Sequence, residues 1–275
     1  MPWVEGITRF CFAASYTVAL IAEIVQLFRP RWVPRWLARF FGTAGLFAHS
    51  VFLVMHQPSP ASPQGSLLLL AWVVAIFYLY GSLHYRRVVW GVFVLPVVLI
   101  LLALAEAVMH LGPGDPVFAE VSWFSGERFW GNVHGTLMLL AAVGVSVAFV
   151  ASVMYLIQAA RLRNKSISMG GMRLLNLERL ETMNRRAVNW AFPLWSAGLL
   201  LGVYLLRGSD ASASEWATLK IVSTAGLWVV FLLLMYLRYG VHLPGRRLAL
   251  LSMMAFGLML VTFAASHPLL QEGVR

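Results

Sequence analysis

Eight long apolar runs, each of spanning length, constrain this chain more than any other feature. They fall at residues 7–28, 38–56, 66–84, 88–109, 132–158, 188–206, 218–239 and 248–267. An α-helix rises about 1.5 Å per residue, so about 20 apolar residues cross the roughly 30 Å hydrocarbon layer of a bilayer. Only a helix satisfies its backbone polar groups within one such segment, and the alternation that a membrane β-barrel requires is missing. The runs therefore predict an all-α polytopic membrane protein, a bundle of about eight transmembrane helices forming one transmembrane domain over residues 1–275. Composition agrees, since 60% of residues are apolar and 12% charged, a balance that a water-solvated surface does not tolerate. The first run is too long for a signal peptide and lacks an Ala-x-Ala-like cleavage site, so it reads as a retained first helix.

Charge in the connections alternates. Arg29, Arg31, Arg35 and Arg39 surround the first connection, and Arg86 and Arg87 the third. Arg161, Arg163, Lys165, Arg173, Arg179, Arg185 and Arg186 fill the fifth, and Arg246 and Arg247 the seventh. The even-numbered connections hold most of the loop acids, namely Asp115, Glu120, Glu127, Asp210 and Glu215. The positive-inside bias makes the odd connections cytoplasmic and places both termini outside. Within the fifth connection, Leu174, Leu177, Leu180 and Met183 recur at helical spacing among charged residues, which predicts an interfacial amphipathic helix over Met172 to Val188.

The net charge of +10 is accounted for by this membrane asymmetry, so no nucleic-acid partner is expected. Cys11 is the only cysteine, which excludes an intramolecular disulfide, a CxxC redox pair and a thiolate metal cluster. GxxxxGK[ST], GxGxxG, HExxH and GxSxG are all absent, so neither ATP hydrolysis nor hydrolase chemistry is indicated, and no complete catalytic motif marks the chain as an enzyme. Pro96 and Pro193 interrupt spans, but not in the matched repeats of a secondary transporter.

Seven histidines are sorted by this topology. His56, His110, His134 and His267 fall at outer helix ends, His84 and His242 at the cytoplasmic side, and His49 lies two turns below His56. A lone histidine at a helix end is an ordinary interfacial residue, whereas several at one depth define a functional-site hypothesis. Two neutral imidazoles on opposite sides of a porphyrin give a six-coordinate haem without any cysteine. Trp123, Phe124, Phe129, Trp130 and Trp216, in or beside the outer loops, suit either an interfacial aromatic belt or stacking on such a macrocycle. Glu106 precedes His110 by one turn and can accept its ring N–H, while Glu23 suits pairing with a loop arginine.

Three stretches resemble the CcsA/CcmC/HemX-type cytochrome c assembly family. The first is His56-Gln57-Pro58 with Ser59, Gly65-Ser66-Leu67 and Trp72, similar to the family's His-x-Pro segment. The second is Trp130 to Leu156, WGNVHGTLMLLAAVGVSVAFVASVMYL, in which an external histidine opens a helix. The third is Leu177 to Gly202, LERLETMNRRAVNWAFPLWSAGLLLG. The resemblance runs in order over roughly residues 45 to 267.

The resemblance implies a haem-binding membrane component of c-type cytochrome biogenesis in the bacterial cytoplasmic (inner) membrane. It implies a b-type, non-covalent haem, held or presented at the outer face. By position, His134 and His267 correspond to the family's external pair and would ligate the iron, and His56 corresponds to the histidine of the His-x-Pro segment. Trp130 and Trp216 join them as cofactor-binding candidates. Membrane lipid, a second cytochrome maturation membrane protein and apocytochrome c are the implied partners. Full-length members carry a tryptophan-rich external loop where this chain has Arg207 to Lys220, RGSDASASEWATLK. An intramembrane histidine of the family is replaced by Leu237-Arg238. These departures make the shorter HemX-like branch the closer match, and leave a membrane regulator or scaffold of haem biosynthesis as the alternative.

Overall fold

The computed structural model describes residues 9–29, 35–85, 88–111, 126–164, 174–207 and 215–265. Among these there are eight α-helices and no strand: α1 (Arg9–Phe28), α2 (Arg35–His56), α3 (Pro63–His84), α4 (Gly91–Leu111), α5 (Gly126–Arg163), α6 (Leu177–Arg207), α7 (Glu215–Tyr239) and α8 (Gly245–Ala265). All eight are long and apolar enough to cross a membrane, and the chain is a multi-pass membrane protein.

Each span coincides with one of the apolar runs, but two helices are much longer than their runs. α5 has 38 residues and α6 has 31, so α5 is about 57 Å long and overshoots the hydrocarbon layer. The amphipathic segment expected to lie separately on the membrane surface is instead the first part of α6, continuous with the span. Leu180 on that extension is fully buried, and Leu174 and Met183 pack on the core. Burial against the bundle, not a membrane surface, accounts for their spacing.

Local chemistry sets several ends. The Ser62 hydroxyl accepts the Gly65 N–H at 3.0 Å and Pro63 occupies the first turn, where its missing donor costs nothing, so α3 starts there. The Asn176 carboxamide oxygen accepts the Arg179 N–H at 3.1 Å and caps α6 in the same way. α2 stops where Gln57 turns to a φ of 41° ahead of Pro58.

The helices run alternately up and down in two four-helix groups. In the first, α1 packs on α2 and α4, and α3 also packs on α2 and α4. In the second, α5 packs on α6 and α8, and α7 also packs on α6 and α8. α3 and α4 meet α5, and one continuous cluster of buried apolar side chains runs through both groups. Lipid is as apolar as leucine, so helices in a bilayer associate through close packing and polar contacts. The α5–α6 seam shows this, where a Cβ on Gly144 would stand 2.9 Å from both the Ala187 carbonyl oxygen and the Ala191 Cβ. One end of the bundle carries most of the arginines; the other carries Arg9, His56, the first turns of α5 and the end of α8.

Candidate functional site

Nine residues into α5, His134 meets a notch in α6 made by Gly198 and Gly202. A Cβ on Gly202 would stand 2.8 Å from His134 Cε1, so only glycine admits the ring there. His134 Nδ1 lies 2.8 Å from the Gly198 carbonyl oxygen. A carbonyl only accepts, so Nδ1 carries the proton and donates, and the lone pair of the neutral ring resides on Nε2. This is the arrangement by which proteins orient a metal-binding imidazole: one nitrogen is anchored to the backbone, which fixes the tautomer and the ring plane.

His134 lines a cleft of about 110 Å³ at the end of the second helix group. Pro60, Ala61, Pro63 and Ser66 form one wall, and Trp195 of α6, Thr224 of α7 and Phe263 of α8 stand among the others. The Trp195 indole N–H donates to the Thr224 carbonyl at 3.3 Å and the Trp228 indole N–H to Ser196 Oγ at 2.9 Å, pinning α6 to α7 beside the cleft. The loop wall is docked as well. Ser59 Oγ donates to Asn132 Oδ1 at 3.1 Å, and a Cβ on Gly135 would clash with the Pro60 carbonyl oxygen. The segment following His56 and the helix opening on His134 are thereby brought together, 73 positions apart in the chain.

The other candidate residues have different surroundings. His56 is exposed and folds back on its own helix, its ring stacked on Phe52 at 4.2 Å and its Nδ1–H donating to the Phe52 carbonyl at 3.1 Å. It does not line the cleft. Trp130 is exposed and sits edge-on to Phe129 at 5.3 Å. Trp216 falls in the first turn of α7, its side chain outside the described residues, as is that of His110. His267 also lies outside the described residues, four positions beyond the cleft-lining Phe263 in sequence. Glu106 forms an ion pair with Arg9 across 3.1 Å, a partner on α1 that helical spacing within α4 could not indicate. The Glu23 carboxyl packs against Gly91 at the start of α4, where a helix N-terminus favours negative charge.

His49 is a core residue. It is fully buried, stacked on Phe12 at 4.3 Å with an interplanar angle of 2°, and its Nδ1 lies 3.5 Å from the Tyr16 hydroxyl. His84 stacks on Tyr80 and His242 is an exposed turn residue with a φ of 55°. Among the described residues, no three His, Cys, Asp or Glu side chains gather as a metal site. A ligand such as haem would therefore draw single imidazoles, not a preformed cluster. The cleft suits one axial imidazole and an edge of an apolar ring; enclosed small-molecule sites run to about 300 Å³ and more, so it does not envelop a macrocycle. Gln64, 2% exposed beside the cleft-lining Pro63, has a buried amide without a hydrogen-bond partner, a residue that sequence spacing does not flag.

Eight spans define a polytopic membrane protein, and an imidazole anchored to backbone lines a cleft at one end of its bundle. The family model described as Cytochrome C assembly protein matches residues 61–271, and the chain belongs to that family. The match takes in α3 to α8, His134 and His267, and leaves α1, α2 and His56 outside. No curated protein and no solved structure matches the chain.

Proposed function

We propose that this protein holds haem at the outer face of the bacterial cytoplasmic membrane and presents it for c-type cytochrome biogenesis. Family membership supports a role in cytochrome c assembly. The observation that carries the haem reading is the His134 ring, seated in the Gly198–Gly202 notch with its proton committed to the Gly198 carbonyl. The arginine-rich opposite end supports the orientation, with the His134 end and both termini outside.

On this reading His134 and His267 would hold the iron of a b-type, non-covalent haem, Trp130 and Trp216 would stack on the macrocycle, and His56 would serve from the helix end ahead of the docked Pro58–Ser62 segment. Haem supplies the iron and its redox chemistry; the chain's residues fix depth, ligand orientation and dielectric. The Gly198 carbonyl, by accepting from Nδ1, raises the basicity of Nε2. The chain's single cysteine is Cys11, so any thioether bond draws its thiols from apocytochrome c, and the protein acts by holding and handing over rather than by turnover. A second maturation membrane protein completes the assembly.

One observation favours the HemX-like alternative of a regulator without bound haem. The α6 extension exposes Arg179, Arg185 and Arg186 as a basic surface suited to a protein contact. Deleting the gene and staining membranes for covalently bound haem tests the main reading. Loss of c-type cytochromes, restored by the wild-type gene and not by His134→Ala, is expected. Unchanged c-type cytochromes in the deletion strain overturn it.

A further inference from the structure

Roughly 27 Å along α5 from His134, toward the arginine-rich end, polar side chains from all four helices of the second group meet in the interior. Asn184 of α6 is 5% exposed; its amide nitrogen reaches Ser152 Oγ of α5 and Ser252 Oγ of α8, each at 2.9 Å, and the Ala148 carbonyl at 3.1 Å. Its amide oxygen accepts from Arg238 Nη2 of α7 at 2.6 Å. Arg238 is 9% exposed, and its other terminal nitrogen, Nη1, is buried without a hydrogen-bond partner. Among the described residues no carboxylate lies within 4.0 Å of this guanidinium. Glu181, one turn before Asn184, attracts the guanidinium from an exposed position outside ion-pair distance, where solvent screens it, and Arg185 opposes that attraction.

A guanidinium stays charged in a protein, and a buried charge lacking both counter-ion and full hydrogen bonding is strongly unfavourable. Inside a membrane bundle such a group marks a ligand or ion site. Asn184 and the two serines tie α5, α6 and α8 together, and Arg238 Nη2 adds α7 through Asn184; the second arm of the fork is not used by this tie and needs an acceptor. We infer that α5 to α8 carry a second ligand site at the arginine-rich end, where Arg238 Nη1 receives an oxyanion while Asn184 holds Nη2. A carboxylate of a small-molecule ligand and the phosphodiester of an anionic phospholipid share this chemistry. The site depends neither on iron nor on His134.

Two matched probe pairs separate the sources, using the full-length chain stripped of lipid in detergent. One pair is a metal-free porphyrin dicarboxylic acid and its dimethyl ester, followed by quenching of tryptophan fluorescence. The other is phosphatidylglycerol and phosphatidylcholine, followed by native mass spectrometry. The wild type should prefer the anionic member of at least one pair by about tenfold, the worth of one hydrogen bond to a charged group. Preference in the porphyrin pair assigns a small-molecule carboxylate; preference in the lipid pair assigns a phospholipid. Arg238→Met should abolish the preference; it removes a buried charge but strands the Asn184 amide oxygen, so a modest fall in melting temperature is expected. A residue that merely braces the helices would lose stability and keep the preference. Should Arg238→Met not fold, Arg238→Lys carries the same comparison, since a single ammonium cannot serve Asn184 and the ligand as a fork. His134→Ala should leave the preference unchanged, which keeps this test separate from the haem reading. No anionic preference in either wild-type pair, or a preference that survives the Arg238 substitutions, overturns the inference.

Discussion

His134 on α5 and Gly198 on α6 are joined by a 2.8 Å hydrogen bond that determines which ring nitrogen carries the proton. The glycines make this contact possible, and they are not equivalent. At Gly202 an added Cβ would meet the imidazole itself, at 2.8 Å from Cε1, whereas at Gly198 it would meet the flexible thioether of Met138 at 3.1 Å. Gly202→Ala should therefore weaken haem binding by about tenfold, the effect of misplacing one ligand orientation, while Gly198→Ala should weaken it much less. Haem titration of the two purified variants, with melting temperatures alongside, measures the contrast. Equal affinities would separate the notch from the site.

The Tyr16–His49 pair lies in the core of the first group and is unconnected to the cleft. His49→Phe keeps the stack on Phe12 but leaves the buried Tyr16 hydroxyl without its acceptor, a loss of about 1–3 kcal/mol. Adding Tyr16→Phe removes the stranded hydroxyl, so the double variant should recover most of that loss. A double-mutant cycle on unfolding in detergent reads the coupling, and haem content should not move in any of the three variants.

Ser59 and Asn132 hold the loop wall of the cleft through one hydrogen bond. Asn132→Ala should cost about 1 kcal/mol and show first as faster hydrogen exchange across residues 58–62. Unchanged exchange there would mean that the Gly135 contact with Pro60 suffices to dock the segment.

Orientation can be read in intact cells. With Cys11 replaced by Ser, a cysteine at the exposed Ala61 should react with an impermeant maleimide from outside, and one at the exposed Asn164 only after permeabilisation. The reverse pattern would invert the topology and move the His134 end to the cytoplasm.

The spans were legible in sequence because a bilayer demands a long apolar run for every crossing. The true lengths of α5 and α6 were not, because a run ends where polar residues begin while the helix continues. Leu177, Leu180 and Met183 lie on the helix that their spacing predicted, which starts at Leu177 with Leu174 ahead of it, yet that spacing cannot distinguish a membrane surface from the flank of a bundle. His134 stood out by its position at the opening of a span. What spacing concealed were partners on other helices: Gly198 for His134, Arg9 for Glu106 and Asn184 for Arg238. Helical periodicity relates residues three or four apart on one helix and is silent on which helices become neighbours. His49 could be placed only as two turns below His56, and the packing of Phe12 against it makes it a core residue.

Haem binding through His134 can be read from an absorption spectrum of the chain purified in detergent from cells well supplied with haem. The wild type should show a Soret band with non-covalent b-type haem extractable by acid acetone, and His134→Ala and His267→Ala should each lose most of it while eluting as the same folded species. A colourless wild-type protein, or a Soret band unaltered by His134→Ala, would contradict the account.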